Sequence, residues 1–399
     1  MLEVEDINNE TISIAGGGLA GNALAILLGK SGYSNINVYE KRPRIPVASE
    51  KVFTMALSSR GIKTLKEIGL FEEIKNISIP MRGRMVHLLN ELFYSYAEKN
   101  FGEQVNFHFE TRCQDFDIKE KSFTKINNKT GRSKKVVTNT IIGADGAYSS
   151  VRNQMIRLPR QEYSQSFMSH AYKEIFIPAG PNEVFPDVHP LLTNLYEDFE
   201  TNPTTPLVTI KTYPWSYQSN VALIGDAAHA IVPFFGQGMN AALEDVLDLY
   251  NCLKEMNEKQ QQKTNGIVYS NTFTNGITFD RNVFEKAYKQ YQVNRKSSSD
   301  AIAEMVIENF VEMSDKVMDK LFQRKKKVEH LLEEKFPQRY ISRYELISFS
   351  TTPYIEAQRV GEINKSILHE LTKDQDTESD PSNVDLDKAD ELIKKLLSK

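Results

Sequence analysis

Residues 220–245 read NVALIGDAAHAIVPFFGQGMNAALED, and this stretch decides the fold. Val221-Ala222-Leu223-Ile224 is an uninterrupted apolar run of the kind that a strand buried on both faces requires. Gly225 and Asp226 end it. After Pro233 the turn Gly236-Gln237-Gly238 leads straight into Met239-Asn240-Ala241-Ala242-Leu243, a run of helix formers. A strand, an acidic turn and a glycine-opened helix in this order suit a ribose hydroxyl beside Asp226 and an anionic or electron-rich group over the helix N-terminus. The order predicts a cofactor site.

Working outward, the β-prone run at residues 11–15 is followed at once by Gly16-Gly17-Gly18-Leu19-Ala20-Gly21. Gly16, Gly18 and Gly21 fit G-x-G-x-x-G. The first glycine makes the tight turn, the second admits a pyrophosphate to the backbone, and the third lets helix and strand pack closely. Residues 22–28 read as a helix and residues 36–39 as a second strand. Glu40 then falls about 20 residues past the turn, where an acid can hydrogen-bond an adenosine ribose. A further strand end, Ile141-Ile142-Gly143-Ala144-Asp145, precedes a helix capped by Ser149.

The remaining segments are read more coarsely. Residues 62–70 and 88–100 are helical, residues 105–109 form a strand, and residues 113–140 form an antiparallel ribbon turning at 127–131. Arg60 is either a phosphate ligand or a solvated arginine at a helix start. Arg82 and Arg84 share one face of an alternating run at 81–87, as a solvated sheet face or as a carboxylate clamp. Between 163 and 217 the pattern is poor, with strands expected at 171–178 and 208–213 and a helix at 191–200. Helices follow at 246–257, 284–318 and 319–336, with a polar surface loop at 259–279. Lys325-Lys326-Lys327 reads as a wet helix face, with membrane-surface contact as the minority reading.

With 399 residues, 40% of them apolar, the chain can bury a sizeable core. A net charge of −4 gives no global attraction to nucleic acid. Two cysteines and seven histidines show neither a disulfide framework nor zinc spacing, so no metal is expected. The acidic start, MLEVEDINNE, lacks the character of a signal or transit peptide, and no transmembrane helix is read.

Three motifs in this order, GGGLAG at 16–21, GADGAYSSVR at 143–152 and GDAAHAIVPFFGQGMN at 225–240, resemble the class A FAD-dependent aromatic hydroxylases. The resemblance implies an α/β fold: a Rossmann-type FAD lobe (mainly 11–80, 101–160 and 219–256), a β-sheet substrate lobe (mainly 81–100 and 161–218) and C-terminal helices (280–365). By composition, residues 1–10 are expected to be a tail and residues 366–399 a charged, flexible one carrying a short amphipathic helix from Val384 to Leu397. FAD would contact Gly16, Gly18, Ala20, Gly21, Glu40, Lys41, Arg42, Ala56, Asp145, Ser150, Asp226, Gly238, Met239 and Asn240, with NADPH as co-substrate meeting the Asp145 motif. The chemistry would be carried by the flavin, with no catalytic side chain. Pro233, Phe234 and Phe235 would form a dry wall.

Within the family, MALSSRG, IPMRGRMVH and the 225–240 motif narrow the implied substrate to an aromatic amino acid, L-kynurenine, hydroxylated at its 3-position. Arg84 and Tyr354 would hold its carboxylate. Two family segments are absent, one after His87 and one near Glu183, and the position of a substrate-contacting asparagine falls on Met318. The substrate lobe is therefore expected to be incomplete. A flavin hydroxylase of another aromatic substrate, or a flavin-binding protein without productive turnover, stays open beside the first reading. The implied location is the cytosolic face of the mitochondrial outer membrane, with peripheral contact, or the cytoplasm if no anchor exists.

Overall fold

The computed structural model describes residues 4–6, 11–44, 56–78, 88–173, 195–264, 277, 279–374 and 380–397. The chain begins β1 (Val4–Asp6), β2 (Ile12–Ala15), α1 (Leu19–Lys30), β3 (Ile36–Tyr39), then α2 (Ser59–Ile68), α3 (Phe71–Ile77) and α4 (Leu88–Phe101). Next come β4 (Val105–His108), β5 (Thr111–Asp117), β6 (Ser122–Asn127), β7 (Ser133–Val137), β8 (Thr140–Gly143) and α5 (Ser150–Met155). The middle holds β9 (Glu162–Tyr172), α6 (Leu195–Thr201), β10 (Thr205–Tyr213), β11 (Ser216–Tyr217) and β12 (Val221–Leu223). Helices α7 (Gly238–Thr264), α8 (Arg281–Val311), α9 (Lys320–Lys335), α10 (Arg343–Ser348), α11 (Tyr354–Thr372) and α12 (Leu386–Leu397) complete it.

A six-stranded sheet in the order β11-β12-β8-β2-β3-β4 carries the three motifs. Its strands run parallel from β12 to β4, with β11 antiparallel at the edge. All residues of β2, β3, β8 and β12 are buried, as strands covered on both faces must be. Helices α1, α7 and α8 share one core with this sheet. Because β2, β8 and β12 are neighbours, their C-terminal ends bring Gly16, Asp145 and Gly225 to one edge.

The ribbon expected at 113–140 is the meander β5-β6-β7, and β1 adds to it in parallel with β7, so the first ten residues contain a strand. The substrate side holds a two-stranded antiparallel ribbon, β9 with β10, among the described residues. Strand β9 starts at Glu162, earlier than expected, and most of the segment 171–178 lies outside the described residues.

Several expectations need correction. Helix α4 belongs with the cofactor lobe: Phe93, Tyr94 and Ala97 are buried, and the Tyr94 hydroxyl donates to Gly17 O at 2.5 Å. The loop expected from 259 begins later, because α7 continues through Thr264. Helix α8 ends at Val311 in a π turn, Glu312–Lys316, short of 318. The C-terminal tail is packed: α11 passes 366 and runs to Thr372, and Val384, Ala389 and Ile393 bury against Val328, Leu332 and Leu368. Spacing of apolar residues three and four apart gives α12 the stripe that this packing uses.

Candidate cofactor and substrate site

The glycine turn is shaped by contacts that only glycine permits. Gly16 has φ +105°, and a Cβ there would lie 2.7 Å from the Ala144 carbonyl carbon. A Cβ on Gly21 would overlap the Gly16 carbonyl oxygen. At Gly18, by contrast, a Cβ meets nothing within 4 Å, so space lies open over the first turn of α1, whose N-cap has no side-chain partner. An open space over unpaired helix N–H groups fits a pyrophosphate.

Glu40 is buried at the end of β3 and holds this turn from below. Its Oε2 accepts the Gly17 N–H at 2.9 Å, and its Oε1 accepts both the backbone N–H and the Nε–H of Arg42 at 2.9 Å. Lys41 and Arg42 are exposed beside it. Ser149 caps α5 as expected, its Oγ accepting the Arg152 N–H at 2.9 Å, and the Asp145 carboxylate accepts from Ser149 Oγ at 2.5 Å and from the Ser150 N–H at 2.6 Å. Burial raises the Asp145 carboxyl above the usual carboxylate range, against the pull of these bonds.

A cleft of about 380 Å³ opens at the ends of β8 and β12 and brings together Ala56, Ala147, Asp226, Gly236, Gly238 and Met239. Its far wall is apolar, from Leu207 and Val208 on β10 and from Ile231 to Pro233. Asp226 has exposed surface, but that surface faces this cleft. Enclosure by protein raises its carboxyl, with His229 opposing. The N-terminus of α7, a helix of 27 residues, points at the same space from Gly238.

Other candidates stand behind the cleft. Asn240 is fully buried and ties two strands of backbone together: its Oδ1 accepts the Ser58 N–H at 2.8 Å, and its Nδ2 donates to Ala56 O at 2.7 Å and Gly236 O at 3.1 Å. It therefore sets where Ala56 and Gly236 lie. Tyr354 is also fully buried; its hydroxyl donates to Gln237 Oε1 at 3.0 Å, and Arg60 stacks 3.8 Å over its ring. It does not line the cleft. Arg84 lies outside the described residues.

The structure removes both readings of Arg60, which is 1% exposed. Its guanidinium donates to Ile347 O and Thr352 O and faces Glu244, so it ties α2 to the C-terminal segment. Of the expected dry wall, Pro233 alone lines the cleft. Phe234 turns away to Phe310, with ring centroids 4.6 Å apart, and Phe235 turns toward Tyr344. Met318 is 86% exposed beyond the π turn, whereas Asn309, one helix turn before that turn, donates to Phe234 O at 2.9 Å. Asn309 carried no sequence signal of its own, since one asparagine in a long helix is indistinguishable from a surface residue.

Asp226→Ala should weaken FAD retention by about 1.5–3 kcal/mol, the worth of a hydrogen bond to a charged group. Flavin-to-protein absorbance of the purified variant reads it, and an unchanged ratio would remove Asp226 from the site.

A family model described as an FAD binding domain matches residues 209–265, the segment running from β10 through α7. The chain is 42% identical to a kynurenine 3-monooxygenase of Dictyostelium discoideum, over 98% of this chain and 99% of that protein. It is 30% identical to one of Flavobacterium psychrophilum, over 93% and 95%. The first alignment spans 479 positions against 399 residues here, so that relative carries stretches which this chain lacks. Among solved structures, the tetrameric form of 2-methyl-3-hydroxypyridine-5-carboxylic acid oxygenase matches with a TM-score of 0.54 at 16% identity, covering 88% of this chain and 96% of that one. The p-nitrophenol 4-monooxygenase of Pseudomonas putida matches with a TM-score of 0.55 at 14% identity, covering 78% and 90%. These two show the fold alone. Likeness over nearly the whole length of both sequences, with the glycine turn, the Asp226 turn and the α7 N-terminus meeting at one sheet edge, places the chain in the kynurenine 3-monooxygenase family of FAD-dependent monooxygenases.

Proposed function

We propose that the chain hydroxylates L-kynurenine to 3-hydroxy-L-kynurenine, with FAD as cofactor and NADPH and O2 consumed. The observation that carries this reading is the 42% identity over 98% of the chain to a protein of that name. When bound, FAD supplies the electron transfer from NADPH and the delivery of one oxygen atom to an electron-rich aromatic carbon. The chain's residues bind, orient and exclude water. The turn from Gly16 to Gly21 and Asp226 would hold the cofactor's polar half, and Gly236, Gly238 and Met239 would receive its ring. Positive potential from the α7 N-terminus favours negative charge on that ring. Leu207, Val208 and Pro233 keep the substrate side apolar.

Steady-state NADPH oxidation with and without L-kynurenine, with the product identified by mass, tests the reading. L-kynurenine should accelerate NADPH consumption and appear as its 3-hydroxy derivative. A flavin-loaded chain indifferent to L-kynurenine but stimulated by another aromatic acid would replace this substrate. Arg84 is assigned to the substrate carboxylate by resemblance. Arg84→Ala should raise KM for L-kynurenine with FAD content unchanged, and Arg84→Lys should not rescue it, because lysine lacks the planar fork. Equal KM in variant and parent would return Arg84 to a solvated strand.

The stretches present in the Dictyostelium relative and lacking here favour a second element of the reading, a site that closes incompletely. No helix among the described residues is long and apolar enough to cross a membrane. For location we carry the family likeness forward as a proposal: peripheral contact with the mitochondrial outer membrane, supported by the exposed Met313, Val317 and Met318 at the corner between α8 and α9.

A further inference from the structure

Asp245, on α7, lies beneath the cleft with no exposed surface. Its Oδ2 accepts the Gly225 N–H at 3.1 Å and the His229 Nε2–H at 2.5 Å, and its Oδ1 accepts the Arg295 Nε–H at 2.8 Å. Three donors on one buried carboxylate are what keeps such a charge tolerable in the interior. Two of the three come from the five-residue turn that carries Asp226.

Arg152 Nη1 donates to Ala227 O at 3.1 Å and Thr212 Oγ1 to Ala228 O at 2.8 Å, which tie that turn to α5 and β10 but not to α7. Gly225 has φ +57°, and the turn's own backbone bonds all return to one atom, Gly225 O, which accepts from Ala228 and His229 at 2.8 and 3.0 Å. Nothing in those bonds fixes the turn relative to α7. Asp245 does, gripping the first residue through its N–H and the last through its side chain, with Asp226 between them. The grip continues through buried charge: Arg295 Nη1 lies 2.7 Å from Glu244, Glu244 lies 3.5 Å from Arg60 Nε, and Arg60 stacks on Tyr354, which holds Gln237 beside Gly236 and Gly238. A buried ion network is weak evidence for stability, since apolar replacements of the same volume are often as stable; its best-supported use is to fix one arrangement.

We propose that Asp245 is a positioning residue of the cofactor site, holding the Gly225–His229 turn so that Asp226 faces the cleft. The inference rests on the reading of that cleft as the FAD site. A double-mutant cycle separates positioning from general support, because a residue that acts through Asp226 loses its effect once Asp226 is gone.

FAD dissociation constants, from flavin fluorescence, are to be measured for the parent chain, Asp245→Asn, Asp226→Ala and the double variant, with the thermal midpoint of each. Asp245→Asn should weaken FAD binding by roughly tenfold or more in the parent and by about twofold or less in the Asp226→Ala background. Equal losses in both backgrounds, or no loss in either, would overturn the proposal. If Asp245→Asn does not fold, His229→Asn is taken through the same cycle and judged by the same two outcomes. A parent chain that binds no FAD would instead sink the reading of the cleft.

Discussion

Gly21→Ala is expected to abolish FAD retention and to destabilise the cofactor lobe by about 3 kcal/mol or more. The added methyl would overlap the Gly16 carbonyl oxygen and press on Ile14 at 3.3 Å. A backbone carbonyl cannot rotate out of the way as a flexible side chain can, so α1 must move off β2, and Gly16, already at φ +105°, has no slack. Gly18→Ala supplies the contrast. Nothing of the protein lies within 4 Å of its added methyl, so the fold should keep its thermal midpoint while FAD binding falls, the methyl entering the space that a pyrophosphate would fill. Absorbance ratios and thermal midpoints of the two variants check this. Full flavin loading in Gly18→Ala would place the pyrophosphate elsewhere.

Arg60→Ala is expected to cost about 3–5 kcal/mol of stability, the usual consequence of removing one partner from a buried ionic set. The loss has three parts. Ile347 O and Thr352 O lose their donor, Glu244 is left to Arg295 alone, and the Tyr354 ring loses the cation stacked on it. Because those partners lie on α7, on α10, in the connection at Thr352 and at the start of α11, the variant should loosen the C-terminal helices from the cofactor lobe before the sheet unfolds. Denaturant unfolding measures the total, and hydrogen exchange of residues 343–372 measures the locality. A change within about 0.5 kcal/mol would mean that Arg60 is replaceable by packing.

How far the sequence alone reached follows from the range of the interactions involved. The cofactor lobe was legible because its signals are local: an apolar run ending in Gly-Asp, glycines at the spacing a tight turn demands, and an acid one strand later. Glu40, Asp145 and Asp226 all stand at strand ends at one sheet edge. What local patterns do not carry is which way a side chain turns. Phe234 and Phe235 follow Pro233 directly, yet their rings leave the cleft for Phe310 and Tyr344, on helices some 75 to 110 residues later in the chain. Arg60 was open between a phosphate ligand and a solvated helix-start arginine because its partners, Glu244, Ile347 and Thr352, are all distant in sequence. Tyr354 was placed on substrate by resemblance; its hydroxyl donates to Gln237, a contact that no local pattern carries. The tail was read from its charge as flexible with a short amphipathic helix at its end; that helix is α12, and Val384, Ala389 and Ile393 pack it. The network around Asp245 had no signature at all, because Gly225, His229 and Arg295 converge on it only after folding.

The proposed reaction carries one oxygen atom from O2 to L-kynurenine by way of a bound flavin. It is tested by supplying the FAD-loaded chain with NADPH, L-kynurenine and isotopically heavy O2, then measuring label in the product and product formed per NADPH consumed. The expected result is 3-hydroxykynurenine bearing one heavy oxygen, in amounts well below the NADPH oxidised, with hydrogen peroxide making up the balance if, as proposed, the substrate side closes incompletely. Product near one per NADPH would mean that the residues present close the site unaided. A hydroxyl oxygen drawn from water, or no product at all from a chain that holds FAD and oxidises NADPH, would contradict the proposed reaction itself.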